Sequence, residues 1–242
     1  MKLPMTTPIL TTPARTDWTL ALGAPLLYVL LLLIGAQALG WLGLRSGLLV
    51  DAAAQRACYG SLALLLVQLV AGLGSFAWLR RRLRTARGAH GIGFTPSTRG
   101  WLLAGEVGGL ALAVTTALIV WRLPHVAGGA DLASLPVALP TLPLAGTLVS
   151  VLLAPVFEEG IFRGALLGAL RPALGALGAG LGSTLLFTLL HLPEHFGTPW
   201  GLLPIAALGG FAAWLRVRSG SLWPGLVAHV CFNALLGLGA LR

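Results

Sequence analysis

The stretch Phe157-Glu158-Glu159-Gly160-Ile161-Phe162-Arg163-Gly164 puts two adjacent carboxylates and a guanidinium inside an otherwise apolar run. The whole chain has only 7 acidic residues in 242. Ionisable groups at membrane depth are costly and by default mark a functional site. With 57% hydrophobic and 10% charged residues, against about 25% charged in a soluble domain, the sequence reads as an integral membrane protein. A transmembrane helix needs roughly 20 apolar residues, so the expected fold is an all-α polytopic bundle of about seven, or eight, spans. The bundle encloses a polar intramembrane cavity around the acidic pair.

Working outward from that pair, a span begins near Leu142, runs through the two glutamates to Leu170 and stops at Arg171-Pro172. Upstream, the apolar runs Trp18 to Leu44, Ala57 to Leu79 and Trp101 to Trp121 form three further spans; downstream, Ala173 to Leu192, Trp200 to Leu215 and Leu222 to Leu241 complete seven. Residues 1–17 form a tail, 18–139 the N-terminal helices with a Pro- and Gly-rich connection at 122–141, and 140–242 the catalytic core, all in one membrane domain. The polar segment Arg80 to Arg99 is expected on the membrane surface, against anionic head groups.

The net charge of +9 does not point to nucleic acid, because the arginines sit at the ends of apolar runs. With the N-terminus inside, 11 basic residues fall inside and 4 outside (Arg45, Arg56, Arg122 and Arg242), and Arg163 lies within the membrane. That asymmetry places the N-terminus in the cytoplasm, and the Ala, Leu, Gly and Arg bias suggests a prokaryotic plasma membrane. Cys58 and Cys231 have neither metal spacing nor a disulfide framework.

On an α-helix, with about 100° per residue, Glu159 and Arg163 share a face, whereas Glu158 points away from both. Arg163 can therefore neutralise Glu159 and leave Glu158 free to accept a proton. Phe187 precedes His191 by one turn in the next apolar run, and His229 precedes Asn233 by one turn in the last. Two imidazoles and a carboxylate suit a divalent metal such as zinc, through Glu158, Glu159, His191 and His229. They equally suit a metal-free acid–base site with Asn233 as donor to an oxyanion; both stay open. The pattern His191-Leu192-Pro193-Glu194-His195 fits an inverted zincin, but Pro193 opposes the unbroken helix which that motif needs. His90 and His125 read as solvated loop residues.

The three ordered motifs Glu158-Glu159-Gly160-Ile161-Phe162-Arg163, Phe187-Thr188-Leu189-Leu190-His191 and His229-Val230-Cys231-Phe232-Asn233, with Ser219-Gly220-Ser221-Leu222-Trp223-Pro224 before the last, resemble the CPBP family. These are the CAAX prenyl endopeptidases and their bacterial relatives, linked to bacteriocin processing and self-immunity. The resemblance covers roughly residues 140 to 240. It implies an intramembrane endopeptidase acting on a peptide, or a lipidated peptide or protein, near the membrane surface. Glu158 and His191 would activate water, His229 and Asn233 would hold a metal or the oxyanion, and Glu159, Arg163 and Phe187 would orient them. The alternative within the family is a non-proteolytic immunity factor or scaffold. An ion-coupled transporter fits less well, because all the chemistry sits in one half of the chain.

Straight helices with these boundaries place Glu158 ~20 Å, His191 ~24 Å and His229 ~10 Å from the inner surface. Tilting or different helix starts must bring them together.

Overall fold

The computed structural model describes residues 17–47, 53–85, 92–122, 149–195 and 199–239, and these are mostly helical with no strand among them. The expected tail, the start of the fourth span, the connection before it, His90 and His125 lie outside the described residues. So does the side chain of Cys58. Three helices come first: α1 (Trp18–Arg45), α2 (Ala53–Thr85) and α3 (Arg99–Arg122). A continuous apolar run, Val149–Leu190, follows. It divides into α4 (149–174) and α5 (176–190) at Gly175, whose φ of 66° and ψ of −177° break the helix. Two short 3-10 turns, Leu192–His195 and Pro199–Gly201, lead to α6 (Leu202–Ser219) and α7 (Trp223–Gly239). By length and composition, Ala21–Arg45, Leu62–Arg82, Arg99–Arg122, Val149–Leu190 and Pro199–Ser219 are each sufficient to cross a membrane, and Trp223–Gly237 is a shorter apolar helix. The chain is a multi-pass membrane protein.

The expected boundary at Arg171-Pro172 is wrong by one turn. Pro172 lies inside the helix; it forfeits one i→i−4 hydrogen bond but does not reverse the chain. Gly175 does, because its backbone sits in a region that only glycine occupies readily. Beyond it α5 folds back on α4: Ser183 Oγ donates to the Phe162 carbonyl at 2.8 Å, and the Phe162 and Phe187 rings meet edge to face at 5.5 Å. We expect Gly175→Ala to cost about 1–3 kcal/mol, read as a lower unfolding midpoint in detergent. An unchanged midpoint would mean that the turn tolerates a side chain.

This shift also removes the mismatch in depth. Counted from Gly175, Glu158 is 17 residues back and His191 16 residues on, so both stand ~25 Å from the turn. The link between α6 and α7 does not reach that turn. Arg216 Nε donates to the Arg163 carbonyl at 3.3 Å, and the Leu222 side chain lies against Gly164. The α4–α5 hairpin therefore runs ~15 Å past the link, and His229, near the start of α7, falls level with the glutamates.

Two further features position the site. Residues 92–98, the described end of the segment expected on the membrane surface, pack against the α6–α7 link. Leu222 N donates to the Gly93 carbonyl at 2.8 Å, Ser221 Oγ to the Thr95 carbonyl at 2.6 Å and Thr95 Oγ1 to the Gly220 carbonyl at 3.2 Å. The outward face of α5 is a leucine stripe at i, i+4 spacing, Leu177, Leu181, Leu185 and Leu189, all exposed. In water such a stripe would be a liability; against hydrocarbon it is the expected surface. Its inward face joins Phe187 and Ala179 to the buried cluster of Tyr28, Phe157, Ile161, Phe162 and Leu166.

Candidate active site

The acidic pair lies where α4 changes its winding. Val149–Leu153 and Glu159–Leu166 are π-helical, with a five-residue α segment, Ala154–Glu158, between them. Periodicity gave no sign of this wider i→i+5 turn, which is rare and frequently found at functional sites. Glu159 and Arg163 still meet, Oε1 to Nη1 at 3.3 Å, with both side chains sealed from the surface. Gly209 and Gly225 give them room: a β-carbon at Gly225 would stand 3.2 Å from Glu159 Oε2, and one at Gly209 3.0 Å from an Arg163 nitrogen. The guanidinium carbon sits 4.1 Å over the Phe187 ring, so part of its charge is met by the π face.

His229, on α7, bridges the two acids. Its Nδ1 is 3.1 Å from Glu159 Oε1 and its Nε2 is 3.8 Å from Glu158 Oε2. A carboxylate only accepts, so Nδ1 carries the hydrogen. In the neutral ring Nε2 then offers a lone pair; in the imidazolium both N–H groups face acceptors. The distance of 3.8 Å is beyond a direct hydrogen bond and leaves the contact electrostatic.

The two glutamates are unequal in access. The Glu158 side chain is 11% exposed and that of Glu159 1%, so Glu158 is the acid with an open face. His191 ends α5, where the helix stops, and Nδ1 donates to the Phe187 carbonyl at 2.9 Å. That bond fixes the tautomer, since the carbonyl can only accept, and leaves Nε2 free. Phe187 is the hub: its ring lies 4.8 Å from the His191 ring and 5.8 Å, edge-on, from the His229 ring. Asn233 Nδ2 donates to the Ser150 carbonyl at 2.8 Å, which leaves one amide hydrogen for another acceptor.

His195 is buried with Nε2 unpartnered. Burial first, and His191 second, lower its pKa below the ordinary histidine value. The inverted-zincin geometry is absent, because the helix ends at His191 and a 3-10 turn follows. Among the described residues no group of three or more His, Cys, Asp or Glu side chains is spaced to hold a metal ion. Four contributors escaped the sequence reading: Ser183 and Arg216, and the buried pair Tyr28 on α1 and Gln68 on α2. Gln68 Nε2 donates to the Tyr28 hydroxyl. A lone Tyr or Gln in an apolar run carries no spacing signal.

A helical membrane bundle with an acid–imidazole cluster at its centre defines a class, the polytopic membrane proteins built around buried ionisable groups. Residues 139–235 narrow it: they match the family model described as type II CAAX prenyl endopeptidase Rce1-like. The three sequence motifs fall within the matched residues. Comparison with curated proteins and with solved structures gives no match.

Proposed function

We propose that this CAAX-type membrane protease hydrolyses a peptide bond near the membrane surface, using water activated by Glu158 and His191. The carrying observation is the inequality of the two adjacent carboxylates: Glu159 is sealed against Arg163, whereas the Glu158 side chain is 11% exposed and, among the described residues, forms no ion pair with an arginine or lysine. Glu158 takes a proton from water as the oxygen adds to the scissile carbonyl carbon, while Nε2 of His191 holds that water. The spare N–H of Asn233, with His229 when it is protonated, faces the oxyanion. As the C–N bond breaks, the proton passes from Glu158 to the leaving amine, giving a free carboxylate and a free amine. Glu159 and Arg163 keep His229 in place, and Phe187 spaces the two imidazoles. The substrate is a membrane-anchored peptide or a C-terminally lipidated peptide or protein.

The test is cleavage of membrane-anchored and C-terminally lipidated peptides by purified protein in liposomes, comparing wild type with His191→Ala, with and without chelator and added zinc. Loss of cleavage in His191→Ala supports the assignment. Chelator sensitivity rescued by zinc would replace this scheme with a metal-dependent one. Full activity of His191→Ala would overturn the site, and no cleavage of any peptide would favour the immunity-factor or scaffold reading.

A further inference from the structure

Glu106 stands outside the acidic cluster, on α3, in a segment apolar enough to cross a membrane, yet it is exposed. Among the described residues it forms no ion pair with an arginine or a lysine. A carboxylate on such a helix ordinarily faces a partner or a water-filled cavity. Here it lines a groove of about 310 Å³ between α3 and α7, with Arg99, Leu102, Leu103 and Val227. Arg99 is seven residues before Glu106, two turns along the same face, and is exposed as well. The depth of the groove follows from the packing of α3 on α7. A β-carbon at Gly105 would stand 2.2 Å from the Pro224 carbonyl oxygen, and one at Gly109 2.3 Å from that of Ala228. The two helices therefore climb in step, and Glu106 is level with Gly225, ~3 Å past Trp223. Trp223 is 43% exposed and meets Phe94 edge to face at 5.7 Å, which places it with the aromatic belt at the headgroup level. The groove is separate from the catalytic cluster. Gly225 and His229 turn towards the acids of α4, and Val227, two residues from each, lies across the helix from them.

We propose that this groove is a site for a phospholipid with a primary-ammonium headgroup: Glu106 accepts from the ammonium, Arg99 donates to the phosphate, and an acyl chain lies over Leu102, Leu103 and Val227. Charge complementarity selects that occupant. An anionic lipid would satisfy Arg99 and be repelled by Glu106, and a basic helix would do the reverse; a zwitterion satisfies both. A primary ammonium also donates hydrogen bonds to a carboxylate, which a quaternary ammonium lacks, and charge-assisted bonds are the strong ones. The bound lipid bridges α3 and α7 on the side of α7 away from His229. Neither the groove nor its occupant depends on the protease reading.

The test is the lipid that the purified protein retains from an equal mixture of phosphatidylethanolamine, phosphatidylcholine and phosphatidylglycerol with identical acyl chains, counted per protein by mass spectrometry after a detergent wash. Wild type should hold the ethanolamine lipid about fivefold over the choline lipid, the scale of one exposed charge pair. Glu106→Gln should abolish that preference and still retain phospholipid, whereas Arg99→Gln should lower the retention of all three. Both positions are exposed, so the core is untouched in either variant. The ethanolamine lipid should also raise the unfolding midpoint of wild type more than that of Glu106→Gln. An unchanged preference in Glu106→Gln, or no preference in wild type, would overturn the site. So would a wild-type preference for the glycerol lipid, which marks an anionic-lipid contact at Arg99 alone. A dimer that carries no lipid would overturn it too, and would make a second copy of the chain the occupant.

Discussion

Glu158→Gln should reduce kcat/KM for peptide cleavage by about 10²- to 10⁴-fold, the range that a positioned general base contributes. The substitution is isosteric and keeps a polar head where the side chain is 11% exposed, so packing survives and the lost quantity is proton affinity. Stability should move the other way. In wild type two carboxylates stand side by side in an apolar helix with a single guanidinium between them, and neutralising Glu158 relieves like-charge repulsion. The unfolding midpoint in detergent should therefore equal or exceed that of wild type, as is common when a functional residue is removed. Cleavage at the wild-type rate would remove Glu158 from the chemistry; a large fall in midpoint would make it a structural residue.

Arg163→Met should have the largest effect on folding. The guanidinium is fully buried against Glu159 and the Phe187 ring, and its loss strands a sealed carboxylate whose remaining polar partner is His229. Breaking one side of a buried ion pair typically costs about 3–5 kcal/mol, enough to unfold many domains. The double substitution Arg163→Met with Glu159→Gln should recover much of that loss, because no uncompensated charge remains. Comparing midpoints of the two singles and the double measures the coupling. Equal destabilisation in the Arg163 single and the double would show that Arg163 acts by volume alone.

Much of this was legible in the residues. Apolar runs announced the helices, and the i, i+4 spacing of Glu159 and Arg163 announced their contact. Three motifs on separate runs pointed to one site, although the assumed boundaries kept His229 far from Glu158. What stayed hidden has physical reasons. A π turn spans too few residues to change a hydrophobic pattern, so the winding at Glu159–Leu166 leaves no trace in the spacing. Pro172 is the louder break signal, yet the positive φ is carried by Gly175. The polar look of residues 92–98 hides that their backbone serves the α6–α7 link. Tyr28 and Gln68 become a pair only when α1 meets α2, a contact that no local pattern encodes.

The wide turns of α4 have one more consequence. Carbonyl oxygens there are taken by side chains from three different helices: Ser150 by Asn233 of α7, Phe162 by Ser183 of α5 and Arg163 by Arg216 of α6. The acid-bearing helix is thus gripped by its main chain, as a rail is held by its sleepers. Its placement is therefore shared between its own buried side chains and residues on three other helices.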